Sequence, residues 1–214
     1  MSVEYTPEKQ EKMLGRAYCL LTSNGIHGYS MDRLAKDLGV SKKTIYKYFT
    51  NKEELVQRVI NEFDRHLSSV RLTSIQSIED FMVQTGEIMT QELFIATTFS
   101  DGFVKDIAAV YPTIYQRYMS ILDRVHLEFV EWFETGYESG ITLEVDYDLV
   151  LYELEMTLQG IVARTPAEEL RVKLQNLYQL LLLKVLTDDY RHLAFEPSSF
   201  DFLEYTLAKW NSLQ

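Results

Sequence analysis

Apolar residues recur at three- and four-residue intervals along nearly the whole chain, the spacing that lines one face of an α-helix. A first stripe, Met13, Leu14, Ala17, Leu20 and Leu21, follows Thr6-Pro7-Glu8, which reads as an N-cap, a proline at the first helical position and an acid in the first turn. Gly25 is its natural stop. Ser30 caps a short second helix carrying Met31, Leu34, Ala35 and Leu38 on one face, and Gly39 ends it. Ser41 caps a third, very short helix with Ile45 and Phe49. Asn51, with Glu54 three residues on, has the form of a capping box and opens a long helix, 51–73, striped by Leu55, Val56, Val59, Ile60, Phe63, Leu67 and Val70.

Beyond Thr73 the pattern stays helical, over about Ser77–Ala96, Ser100–Val110, Pro112–Glu138, Asp146–Arg164, Ala167–Thr187 and Ser198–Asn211. The connections at Gly140–Val145, Thr165-Pro166 and Asp188–Pro197 are short. Leu149–Met156 and Leu177–Leu186 are apolar on more than one face, so those helices need cover from a core on one side and a partner on the other.

Composition narrows the fold class. The 214 residues include only 9 Gly and 4 Pro, too little punctuation for many short strands, and the 46% hydrophobic and 25% charged content suits a chain folded throughout. An all-α protein is expected. Cys19 stands alone, which excludes an intramolecular disulfide and suggests a buried, inert thiol in a reducing compartment. The polar start and the lack of an apolar run of about 18 residues point to a cytoplasmic protein with no membrane partner.

Charge is unevenly placed. The net charge is −11, yet residues 1–66 hold 11 Lys/Arg against 9 Asp/Glu, a net of +2, which leaves −13 for the remainder. Within 33–52, Arg33, Lys36, Lys42, Lys43, Lys47 and Lys52 face only Asp37. That segment is the expected seat of any polyanion. It is also where a scaffold helix, a tight turn at Leu38-Gly39-Val40 and a second helix with an outward face of Lys42, Lys43, Thr44, Tyr46, Lys47 and Tyr48 make the layout of a helix-turn-helix. The B-DNA major groove admits one α-helix, whose first residues must reach base edges while its neighbours hold phosphates. A helical hairpin with a merely solvated basic face is the competing account of the same residues.

The run Gly39-Val40-Ser41-Lys42-Lys43-Thr44-Ile45-Tyr46-Lys47-Tyr48-Phe49, followed by Asn51-Lys52-Glu53-Glu54-Leu55, resembles the recognition helix and following helix start of the tetracycline-repressor (TetR/AcrR) family. Ser30-Met31-Asp32-Arg33-Leu34-Ala35 is similar to the family's second helix, and the resemblance is close over roughly the first 60 residues. It implies an N-terminal three-helix helix-turn-helix domain over residues 1–50, and a C-terminal helical effector-binding and dimerisation domain over 51–214 that begins with the 51–73 connecting helix. It also implies a DNA-facing set of Ser30, Arg33, Ser41, Lys42, Lys43, Thr44, Tyr46, Lys47, Tyr48 and Lys52, in which Ser30, Tyr46, Tyr48 and Lys52 hold phosphates while Ser41, Lys42, Lys43 and Thr44 approach bases. Lys43 stands where many members carry a small residue, so the operator sequence does not follow by analogy.

The same resemblance implies a homodimer on a palindromic double-stranded DNA operator, repression, and release by a small hydrophobic or aromatic effector. Aromatics are dense between Phe94 and Tyr137, and Phe99, Phe103, Tyr115, Tyr118, Met119 and Phe133, with Met156, are candidate effector contacts. Core packing explains each of these singly. Tyr152, Met156, Leu177, Leu180, Leu181 and Lys184 are the expected dimer contacts.

Asp123 and His126 lie one turn apart, but no second pair completes a metal site, so no metal or cofactor is expected. Glu153 and Glu155 interrupt an apolar helix and are either rim residues or buried acids that need a cationic partner. No phosphate loop or nucleophile motif supports an enzyme. The remaining alternative is a helical protein-interaction or carrier protein whose N-terminal hairpin binds a protein, against which the basic 33–52 segment argues.

Overall fold

In a computed structural model, residues 7–204 are described, with the side chains of 11–22 and 25–204. The order is α1 (Pro7–Asn24), α2 (Met31–Asp37), α3 (Lys42–Tyr48), α4 (Lys52–Leu67), α5 (Ile78–Thr98), α6 (Asp101–Val110), α7 (Pro112–Glu138), α8 (Tyr147–Arg164) and α9 (Ala167–Val185), followed by 3₁₀ turns at Arg191–Phe195 and Pro197–Phe200. The fold is all-α, and the extended pairing among the described residues is an isolated bridge, Thr142 with Leu186. The expected cap at Thr6 and most of the expected 198–211 helix lie outside the described residues.

Two compact units emerge. The first takes residues up to Ser68 together with Thr98–Ile121, and the second takes Ser69–Thr97 with the chain from Leu122 on. This division differs from a cut at residue 50, because α4, α6 and the start of α7 pack into the same unit as the first three helices.

In the first unit α4 supplies the spine. Its buried Leu55, Val56, Val59, Ile60, Phe63 and Leu67 fall at helical spacing on one side. They share the core with Ala17 and Leu21 of α1, Leu34 and Ala35 of α2, and Ile45 of α3. The helix expected over 51–73 ends at Leu67. Ser68 donates to the Asp64 carbonyl at 2.8 Å, and the chain then runs irregularly, with the Thr73 amide bonded to the Gln84 Oε1 at 2.5 Å instead of continuing the helix. Serines and Thr73 crowd this stretch, residues that favour caps and turns over helix interiors. Val70, placed on the same stripe by periodicity, lies past the helix end and is half-buried. Cys19 is also half-buried.

The second unit is built on α5, α8, α9 and the greater part of α7. Phe81, Phe129, Trp132, Phe133, Leu151, Leu154, Leu174 and Leu182 are among its buried residues. Trp132 stacks on Phe81 at 5.4 Å between ring centroids and donates its indole N–H to Thr85 Oγ1 at 3.0 Å. Among the described residues no helix is long and apolar enough to cross a membrane.

Candidate nucleic-acid interface

Local chemistry fixes the pair α2 and α3. Ser30 accepts the Arg33 amide at 3.1 Å and Ser41 accepts the Thr44 amide at 3.1 Å, so both helices begin on a side-chain cap of the kind worth about 1 kcal/mol. The α2 end is a Schellman motif, with the Val40 amide on the Ala35 carbonyl at 2.9 Å and the Gly39 amide on the Lys36 carbonyl at 3.0 Å. Gly39 adopts φ +71°, a conformation that a residue with a Cβ resists. Arg16 of α1 donates to the carbonyl of Leu38, the C-cap of α2, at 2.9 Å. Ala35, at 3% exposure, is small where α2 meets the core.

The outward surface that results is basic. Lys42, Lys43, Tyr46 and Lys47 are exposed on α3, with Ser41 at its start and Thr44 half-buried, while Ser30, Arg33 and Lys36 are exposed on and just before α2. Several of these groups are held in place. Arg33 lies 4.7 Å over the Tyr29 ring and donates to the Gly28 carbonyl at 2.9 Å. Ser41 and Thr44 hydroxyls are 2.8 Å apart. Lys42 Nζ donates to Asp32 at 2.8 Å, a hydrogen bond that raises its pKa, and sits 6.0 Å from the Tyr46 ring.

Two expected DNA contacts turn inward. Tyr48 is 4% exposed and belongs to the core, because position 48 lies one turn from Ile45 on the buried side of α3; it is therefore not part of the outward face. Lys52 is half-buried and donates to the Ile26 carbonyl at 2.5 Å, and burial pulls its pKa down against the raising effect of Asp106. Its observed work is to hold the turn between α1 and α2.

That turn has a second clamp which the sequence pattern did not flag. Asp106 of α6 accepts the Ile26 and His27 amides at 2.6 and 2.8 Å, and its other oxygen lies 2.5 Å from His27 Nδ1. Gly25, at φ +77°, sits where a Cβ would stand 3.0 Å from the same carboxylate. Asp106 lies in a polar helix position that gives no local signal, since its partners are about eighty residues earlier in the chain.

The expected effector contacts do not form one set. Phe99, Phe103 and Tyr118 pack together in the first unit, Phe99 stacking on Phe103 at 4.6 Å and meeting Tyr118 edge-on at 5.5 Å, with Tyr115 6.5 Å from Tyr118. Phe63 of α4 joins them, 4.8 Å from Phe99. Phe133 instead belongs to the core of the second unit. Met119 and Met156 are exposed. Aromatic residue type marked a region, but helix register decides which ring faces which core.

Of the expected dimer contacts, Tyr152, Met156 and Leu180 are exposed, at 60%, 53% and 63%, and Leu149 and Val172 join them on the open faces of α8 and α9. Lys184 is exposed and ion-pairs with Glu153, which settles Glu153 as a surface residue. Leu177 is half-buried. Leu181 is a correction: it is buried in the core, one turn from Tyr178 on the inner side of α9.

The remaining polar candidates also sort themselves. His126 pairs with Asp148 at 2.6 Å rather than with Asp123. No group of three metal-ligand residues occurs among the described residues. Glu155 is half-buried, and its pKa is raised by burial. Glu92 of α5, absent from the sequence-based candidates, is 2% exposed. Helical register alone would have found it, since it falls on the stripe of Phe81, Thr85 and Ile88.

Residues 14–59, the segment holding α2, α3 and the first half of α4, match the model for bacterial regulatory proteins of the tetR family. Over that segment the chain is similar to the tetR family. The HTH-type transcriptional regulator UidR of Escherichia coli strain K12 is 32% identical over 97 residues, 44% of this chain and 48% of UidR. The HTH-type transcriptional regulator SAB2452 of Staphylococcus aureus is 29% identical over 90 residues, 40% of this chain and 44% of that one. The matched stretch thus spans about half the length of these curated relatives, which are transcriptional regulators rather than enzymes.

Solved structures extend the likeness to the tetR fold beyond that stretch. A transcriptional regulator from Saccharomonospora viridis in complex with choline superposes with a TM-score of 0.65 at 17% identity, covering 85% of this chain and 100% of that one. The ketosteroid transcriptional regulator KstR2 of Mycobacterium tuberculosis gives 0.60 at 16% identity, covering 88% of this chain and 100% of KstR2. At these identities the likeness establishes the fold.

Proposed function

We propose that this chain is a tetR-family regulator that represses transcription as a homodimer, setting two α3 helices into successive major grooves of a near-palindromic operator, and that a small-molecule effector releases it. The observation that carries the reading is the exposed face of α3, where Ser41, Lys42, Lys43, Thr44, Tyr46 and Lys47 stand together on a helix whose start, end and inner side are fixed by caps and core. Lys42, Lys43 and Thr44, nearest the start of α3, are the base-reading candidates; Tyr46, Lys47, Ser30 and Arg33 are the phosphate-holding ones. Lys43 makes no hydrogen bond or ion pair with the described residues, which leaves its ammonium available to a guanine or a phosphate.

A second copy of the chain is the occupant proposed for the open faces of α8 and α9. Leu149, Tyr152 and Met156 recur at three- and four-residue spacing on α8, and Val172 and Leu180 lie two turns apart on α9. Two such pairs of helices make a four-helix interface with a two-fold axis, the symmetry that a palindrome with half-sites about 34–36 Å apart requires. The effector part of the reading is supported by the family and by the choline complex of the Saccharomonospora viridis regulator.

Fluorescence anisotropy of the full chain on DNA from upstream of its own gene, titrated with salt and random competitor, tests the proposal. Expected is competitor-resistant binding of one dimer per site whose log affinity falls with log salt at about −0.9 per phosphate neutralised. A lack of competitor-resistant binding there and on sites selected from a random library would overturn it.

A further inference from the structure

Buried polar side chains are almost always hydrogen-bonded, so an exception calls for a cause. On the inner side of α5 the polar residues are accounted for with one exception. Gln84 accepts from Thr73, and Thr85 donates to the Phe81 carbonyl at 2.7 Å while accepting from Trp132. Gln91 is also engaged. Glu92, 2% exposed, has no hydrogen bond or ion pair among the described residues.

The electrostatics around Glu92 ask for positive charge. Its neighbours along α5, Ile88, Met89 and Leu93, are buried in the core of the second unit, and the charge it feels from α8 is that of Glu155, a second carboxylate. Neither α5 nor α8 offers a basic residue nearby, since α5 holds no Lys or Arg and α8 has only Arg164 in its last turn. Arg124 of α7 is engaged by Glu128 at 2.8 Å. His126 of α7 acts on Glu155, but its imidazole is held by Asp148 at 2.6 Å. The second unit therefore contains a carboxylate series running from buried Glu92 through half-buried Glu155 to exposed Asp148, with one imidazole set among them.

We infer that Glu92 and Glu155 form the recognition site for a small organic cation, a quaternary or protonated amine with an apolar body, which is the effector class of this regulator. The inference rests on the effector reading above and narrows it. The ammonium supplies the charge that both carboxylates lack, while the aliphatic side chains around them receive the rest of the molecule. Without the cation, burial and the Glu155 charge push Glu92 up to about 8, so it is largely protonated at neutral pH. A bound cation must favour its ionised form. Binding therefore expels a proton, and affinity rises as pH climbs toward and past that value.

The test is thermal shift and titration calorimetry on the full chain with choline, tetraethylammonium and benzyltrimethylammonium, set against the neutral carbon isostere of choline. The expected result is that at least one cation raises the melting temperature and the isostere does not. Its affinity should increase between about pH 6.5 and about pH 9 with proton release. Glu92→Gln should weaken binding about tenfold or more and flatten the pH dependence, and Glu155→Gln should weaken it less. Both variants keep the side-chain volume and are checked by circular dichroism and operator binding, which do not depend on the cation. The inference is overturned if none of the three cations shifts the melt, if the isostere binds as well, or if Glu92→Gln retains parental affinity. A neutral ligand that frees the operator would sink the cation class and leave the effector reading intact, whereas loss of all DNA binding would sink the regulator reading independently of the calorimetry.

Discussion

Asp106 of α6 reaches back to His27 and binds it twice, at the amide nitrogen (2.8 Å) and at the ring Nδ1 (2.5 Å). With the Ile26 amide on the same carboxylate and Lys52 on the Ile26 carbonyl, the turn that enters α2 is held from both of its polar sides. The turn into the α2–α3 pair is therefore tied to α6 by one side chain. Burial works to raise the Asp106 pKa, but the hydrogen bonds from His27 and Ile26 outweigh it and hold the carboxyl below the usual range. For a depressed carboxylate the added stability is complete above the unfolded value of about 3.9 and disappears as pH falls through the lower folded value. Urea melts of the parent between neutral pH and pH of about 3 should show this loss, while Asp106→Asn should have a flatter acid limb and, at neutral pH, lower stability by on the order of 1–2 kcal/mol. An unchanged acid limb in Asp106→Asn would remove the clamp.

Asp32 sits inside the basic surface and neutralises Lys42 at 2.8 Å. Both side chains are exposed, so the pair contributes little to folding, but if α3 meets DNA as proposed it withholds a cation from the phosphates and adds an anion beside them. Asp32→Asn is expected to tighten binding to operator and random DNA alike, by a few-fold at moderate salt, and to steepen the salt slope by about one phosphate contact. Anisotropy titrations on both DNAs check this. Gain on the operator alone would instead mean that Asp32 reads sequence.

The face formed by Leu149, Tyr152, Met156, Val172 and Leu180 presents large apolar groups to solvent in the isolated chain. If a second copy covers it, a charge at its centre must be driven into an apolar interface or split the dimer. Leu180→Glu, at a position 63% exposed within one chain, should fold normally and sediment as a monomer, with operator affinity falling by at least about tenfold because two linked half-sites become independent. Sedimentation equilibrium reads the first effect and anisotropy the second. A parent that is already monomeric would refute the interface.

The sequence was most informative where local chemistry decides structure. Ser30, Ser41 and Asn51 cap the helices that they were expected to cap, and Pro112–Glu138 forms one helix as its periodicity predicts. It misled where residue type was taken for orientation. Tyr48 looks like a phosphate ligand, yet its register with Ile45 buries it; Leu181 looks like an interface residue, yet its register with Tyr178 does the same. It was silent on Asp106 and its clamp, because nothing near position 106 announces a partner at position 27. Glu92 was legible in principle from its place on the α5 stripe, but one acid in an otherwise ordinary helix is easily assigned to solvent.

Tyr178 of α9 separates packing from polarity in the core of the second unit. Its ring is 1% exposed and meets Phe200 and Phe202 edge-on at 5.5 and 4.9 Å, so the apolar part is well packed. Its hydroxyl is buried without a hydrogen-bond partner among the described residues, and burial raises its pKa. An unsatisfied buried hydroxyl costs about 1–3 kcal/mol, whereas its removal leaves a void smaller than a methyl group among aromatic rings. Tyr178→Phe is therefore expected to stabilise the protein by about 1 kcal/mol, a rise of roughly 2–4 °C in Tm for a chain of this length. The gain should be equal at pH values of about 6 and about 9, because a phenol pushed above its ordinary value of about 10 stays protonated throughout that interval. Differential scanning calorimetry of the two proteins measures both. A lower Tm in Tyr178→Phe would mean that the hydroxyl has a partner in solution, and the core of this unit would then have to be redrawn around it.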